Sequence, residues 1–242
     1  MRLSLVYART QILELARFPG FTVATLGFPV LFFLLFGLPR AGAHAEVLIA
    51  AYAAFAVLGV GFFQFGVSAA IERVTPWATY VRTLPAPVTA RLTGRALAAL
   101  TFAAAALIPL FAVGFATTSA SLGVGEWARL LVGLLVGSVP FVTLGIAVAY
   151  WSSPKTALPA ANILYMLLAY AGGLWTGPTD LPRAVARISP YTPTRQWGDV
   201  LWQAASGQGW TAGHWLALLG YAALFAALAA LGYARDEGQS YR

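Results

Sequence analysis

Residues 71–95 read IERVTPWATYVRTLPAPVTARLTGR, and this stretch decides the fold because it is the long polar interruption in the first half of an otherwise lipid-soluble sequence. It holds four arginines and one acid. Within it, 75–84 has the pattern of a short helix: Pro76 suits a first turn, Trp77, Tyr80, Val81 and Leu84 recur at helical spacing, and Pro85 and Pro87 stop it. An amphipathic helix held between two membrane spans is a place for a soluble partner to grip.

Uncharged runs lie on both sides of this stretch. The chain has 242 residues, is 60% hydrophobic and only 10% charged, against about 25% charged for a soluble domain. Its mean hydropathy is +0.74. The composition describes an all-α membrane protein forming a single transmembrane domain. Residues 1–18 carry Arg2, Arg9 and Arg17 with Leu5, Ala8, Ile12 and Leu15 along one face, the pattern of an interfacial helix. An ordinary cytoplasmic tail is the alternative. Spans are expected at about 21–38, 47–70, 96–115, 130–151, 156–176 and 215–234. Ala43-His44-Ala45 has the form of a signal-peptidase site, but the charged lead is too long and the apolar run exceeds the roughly 7–15 residues of a signal core, so a retained span is expected. Gly133, Gly137 and Gly145 give the fourth span a small-residue face that admits another helix closely.

Six spans put both termini on one side. With the N-terminus cytoplasmic, ten of the fifteen basic residues fall inside and five outside, which follows the positive-inside bias and makes 71–95 cytoplasmic. The remaining outer segment, 177–213, is too apolar for a free loop; 195–206 has the pattern of a short helix. It either dips into the membrane from outside or lies at the interface anchored by tryptophan.

Several function classes are disfavoured. The net charge of +7 is scattered between apolar runs with no basic stripe, so anionic lipid, not nucleic acid, is the expected partner. No cysteine and only His44 and His214 leave no thiolate or imidazole metal site. No expected span has Asp, Glu, Lys or Arg near its middle, which speaks against a self-powered ion-coupled carrier, where such groups persist despite costing about 2.5–3.5 kcal/mol each on insertion. No G-x-x-x-x-G-K-[ST], GxSxG or HExxH occurs. Ser68 and His214, the nearest approach to an intramembrane serine protease, read as ordinary polar residues near span ends.

The sequence resembles the permease subunit of ABC type-2 transporters, the bacterial six-span exporters. Glu72-Arg73, then Leu84-Pro85, then Gly94-Arg95 at the opening of the third span are similar to the family's pattern around its coupling helix. Gly172-Gly173-Leu174, Pro178, Leu181-Pro182, Ile188-Ser189-Pro190 and Pro193 follow the family's order after the fifth span, and the N-terminal helix resembles its connecting helix. Val74-Thr75-Pro76 depart from the Gly-Thr of many members. The resemblance implies two paired permeases, each seated on a separately encoded ATP-binding cassette subunit. The chain itself would bind no cofactor and catalyse nothing, with ATP and Mg on the partner. It implies coupling to that subunit through Glu72, Trp77, Tyr80, Val81 and Arg82. It also implies a pathway lined by the first and fifth spans of both copies, with Asn162, Tyr165 and Tyr170 as candidates by position; Gln64, a polar residue of the second span, is a further candidate, and helix packing is the alternative for each. The class implies the bacterial inner membrane. A passive channel and a membrane scaffold without ATP-driven transport are the other readings.

Overall fold

An uncharged run in lipid must close its backbone hydrogen bonds within itself, which a helix does. The structure, a computed structural model, follows that rule; it describes residues 2–17, 19–76 and 88–240. Among these, all regular structure is helical: α1 (Arg2–Ala16), α2 (Pro19–Phe32), α3 (Ala45–Glu72), α4 (Val88–Thr117), α5 (Val124–Gly137), α6 (Val139–Trp151), α7 (Pro154–Ala171), α8 (Arg183–Ile188), α9 (Pro193–Ala205) and α10 (Ala212–Ser240). Helix α2 continues into a wider π turn at Phe33–Gly37, and α3 contains a π stretch at Gly61–Val67.

Among the described residues, four helices are long and apolar enough to cross a membrane: Ala45–Glu72, Thr93–Thr117, Val124–Trp151 and Ala212–Asp236. They cover the second, third, fourth and sixth expected spans. The first and fifth expected spans, 21–38 and 156–176, are also helical, over α2 with its continuation and over the 18-residue α7, but their apolar lengths are shorter. The fourth span is two helices in line. Pro140 has no N–H to give Val136 O, which interrupts the ladder, and the amides of Phe141 and Val142 both donate to Ser138 O to start the second helix.

Helix α3 is the centre and α10 the periphery, since 78% of the most apolar window of α3 is buried against 17% for α10. The cause is in the residues. Ala50, Ala51, Ala53, Ala54 and Ala56 let neighbours approach α3 on every side, while Tyr52, Phe55, Leu58 and Phe62 fill the remaining space. The small-residue face expected on the fourth span is used along its length: Gly133 lies against Leu201, Gly137 against the Trp197 ring, and Gly145 against the Gly61 carbonyl in the π stretch of α3.

Helix α9 falls inside 177–213 and is packed within the bundle. Trp197, Val200, Leu201 and Ala204 are fully buried, and α9 touches α3, α5, α7 and α10. Helix α1 also does more than lie on a surface: Ala8 is buried, and Gly94 in α4 lets the two backbones meet, a Cβ there falling 3.0 Å from the Ser4 carbonyl.

The Gly172-Gly173-Leu174 turn has a local explanation. Gly173 takes a positive φ of 76°, its amide donates to Tyr170 O, and the Leu174 amide donates to Ala169 O, closing α7 with a Schellman turn. Leu174 is then buried, and Gly172 leaves room for Thr194, whose hydroxyl donates to Leu168 O at 2.6 Å. Thr192 caps α9 and Pro193 opens it. The prolines and glycines of this segment thus steer the chain back into the bundle.

Candidate coupling site

The two feet of the 71–95 loop are fixed by ionic contacts. Glu72 ends α3 and pairs with Arg95 near the start of α4, and Arg95 Nη1 also donates to Gln64 O at 3.3 Å. The next residue, Arg73, reaches the other way: Nη1 donates to Asp236 near the end of α10, and Nη2 to Ser152 O at 2.8 Å, in the turn between α6 and α7. Its guanidinium also lies 5.9 Å from the centre of the Tyr150 ring. The Thr75 hydroxyl donates back to Glu72 O at 2.7 Å, starting the turn into the loop. The arginine side chains are only 15% and 17% exposed, so these pairs are less screened than surface pairs, and removing one partner leaves a charge poorly solvated.

Of the residues assigned to coupling, Glu72 is thus engaged within the chain by Arg95. Trp77, Tyr80, Val81 and Arg82 lie outside the described residues. Asp236 and Ser152 were not anticipated; neither carries a motif.

The pathway candidates separate into two environments. Tyr165 is 5% exposed, stacks on Phe55 with centroids 4.6 Å apart, and donates its hydroxyl to Phe55 O at 3.2 Å. Gln64 is also buried, with no partner for its side-chain Nε2 among the described residues. Asn162 and Tyr170 are half-buried and, with Met166 between them, share one flank of α7. Asn162 spends a side-chain donor on Leu158 O at 3.1 Å, and Tyr170 leans on Trp175. Tyr165 therefore sits in the packed interior of the chain, and Asn162 and Tyr170 sit at its margin.

A second polar group lies at the opposite end of α3, about 40 Å away at 1.5 Å rise per residue. A cavity of about 370 Å³ there is lined by Val47, Asp199, Trp202, Gln203 and His214 among others. Arg195 Nε donates to both Asp199 oxygens at 3.0 and 3.2 Å and its guanidinium stacks 5.1 Å from Trp202, while His214 Nδ1 lies 2.7 Å from Gln196 Oε1. Burial raises the Asp199 carboxyl above its ordinary value, with Arg195 opposing. Among the described residues no group of His, Cys, Asp and Glu could hold a metal.

Helices of this length, packed around a buried Ala-rich centre, describe a multi-pass membrane protein. The chain is 28% identical over 171 residues to "Putative transport permease YvfS" of Bacillus subtilis (strain 168), covering 71% of this chain and 70% of that protein. That similarity supports the resemblance to the ABC type-2 transport permeases first read from the motifs. No family model matches the chain, and no solved structure matches it.

Proposed function

We propose that this chain is the permease subunit of an ATP-driven exporter of the ABC type-2 class. It works as a pair of identical copies in the bacterial inner membrane. Each copy has six spans, both termini cytoplasmic, and is gripped at 71–95 by an ATP-binding subunit that carries ATP and Mg. The observation that supports this most is the anchoring of the loop at both feet, by Glu72–Arg95 on one side and by Arg73 on the other. A loop tied this way moves the helices when it is moved. A loop that merely joined two spans would not need two part-buried ion pairs at its root. Closure of the ATP-binding subunits would push on two such loops and switch the pathway between inward and outward states. In this reading the half-buried Asn162 and Tyr170 on the flank of α7 meet the cargo or a second copy, and the buried Gln64 and Tyr165 support the pathway from behind.

Native mass measurement of the chain purified with its ATP-binding subunit should give two copies of each. A stable monomer that stimulates ATP hydrolysis fully would contradict the paired reading. Orientation is checked separately, and the absence of cysteine makes the test clean. Thr83→Cys and Ser206→Cys, introduced singly, should label from opposite faces of the membrane. Equal labelling of both by an impermeant reagent applied outside would remove the six-span arrangement.

A further inference from the structure

We infer that Arg73 is a positioning residue that carries motion of the 71–95 loop into the C-terminal helix and into the start of α7, through its clamp on Asp236 and Ser152 O. This rests on the exporter reading above and adds a route within this chain that the reading does not itself specify.

The route follows from where the contacts fall. Glu72 and Arg73 are consecutive yet face different elements, Glu72 the start of α4 and Arg73 the ends of α10 and α6. Ser152 lies two residues before α7, the helix that carries Asn162 and Tyr170. Displacing Arg73 therefore either pulls the first turn of α7 or breaks a hydrogen bond to a carbonyl. On the other side, the end of α10 is not free to absorb the motion. The Trp151 indole N–H donates to Leu228 O at 2.8 Å, the Tyr150 ring meets the Tyr233 ring edge-on at 5.4 Å, and Arg235 stacks 5.6 Å from Trp151. Gly232 allows this approach: a Cβ there would lie 2.7 Å from the Trp151 indole nitrogen. Helices α6 and α10 thus move together at this end. At its other end α10 packs on α9, where His214 Nδ1 lies 2.7 Å from Gln196 Oε1 and Leu218 is buried, so α10 is held at both ends with a mostly exposed middle.

The test uses the whole chain with its ATP-binding subunit in lipid nanodiscs, and MgATP with vanadate as the probe. A nitroxide is placed on Thr83→Cys to report the loop, or on Lys155→Cys to report the start of α7; Lys155 is exposed. In the otherwise unaltered chain both labels should respond to nucleotide. In Arg73→Gln the Thr83 response should persist, with the ATP-binding subunit bound within twofold of its normal affinity, while the Lys155 response falls at least fivefold; Asp236→Asn, which leaves the bond to Ser152 O in place, should lower it less. Arg73→Lys, which keeps a charged donor, should recover at least half of it. A role in stability alone would lower thermal tolerance without separating the two labels. A Lys155 response undiminished in Arg73→Gln, or lost equally in Arg73→Lys, overturns the clamp and leaves the exporter reading standing. No nucleotide response at either position in the unaltered complex overturns the exporter reading itself, and this inference with it.

Discussion

Replacing Tyr80 or Trp77 by alanine is expected to weaken docking of the ATP-binding subunit by about 30-fold, roughly 2 kcal/mol. Interface energy concentrates in a few buried aromatic anchors, and Trp77, Tyr80 and Val81 recur in the sequence at the spacing of one helical face. Arg82→Ala should cost about threefold or less, since a rim charge remains solvated. The competing account is that Trp77 and Tyr80 float the loop at the lipid interface, where both residue types are enriched. It predicts poor membrane insertion of the alanine variants with normal docking of whatever does insert. Measuring binding of the ATP-binding subunit to variants in nanodiscs, beside their membrane expression, separates the two. Normal docking of both alanine variants would remove the grip from this stretch.

The ends of the loop could be read from sequence, but the ties between them could not. Glu72-Arg73 and Gly94-Arg95 stand out as motif pairs, yet nothing in their spacing says that Glu72 meets Arg95 or that the neighbouring Arg73 turns away from it. Its partner Asp236 lies 163 residues on, in what reads as a polar tail. Long-range pairing of this kind depends on how α6 and α10 pack, and that in turn on Gly232, one of 24 glycines with no local mark. Crossing helices were legible where apolar length alone decides them, as in α3, α4 and α10. The π stretch at Gly61–Val67 was not, because one extra residue per turn leaves the hydrophobic run unbroken. For Tyr165 and Tyr170 the sequence offers two aromatic residues on one span. Five positions of helix turn them by about 140° from one another, so one enters the core and the other its margin.

The burial of α9 shows the same dependence and leads to a large expected effect on stability. The sequence marks a helix with aromatic residues near 195–206, but whether it faces membrane interface or protein depends on Gly133 and Gly137, some 60 residues earlier. Gly137 leaves a hollow on α5 that Trp197 occupies, and Gly133 one that Leu201 fills; the Trp197 side chain is fully buried, its indole N–H donates to Gly133 O at 2.9 Å, and the ring lies 4.9 Å from that of Phe141. Trp197→Ala should therefore destabilise the folded chain by about 3–5 kcal/mol, because the cavity is walled by helix backbone that cannot collapse into it. Trp197→Phe keeps most of the ring and loses the hydrogen bond, so it should cost nearer 1 kcal/mol. Leu231→Ala, on the exposed face of α10, should change little, since Leu231 is 62% exposed. Thermal inactivation of the detergent-solubilised chain, followed by loss of the monodisperse chromatographic peak, should rank the three in that order. The alanine variant is expected to fall by on the order of 10 °C. If Trp197→Ala were as heat-tolerant as the parent, α9 would not be a packed element of the bundle. The 177–213 segment would then be an interfacial loop held by its tryptophans.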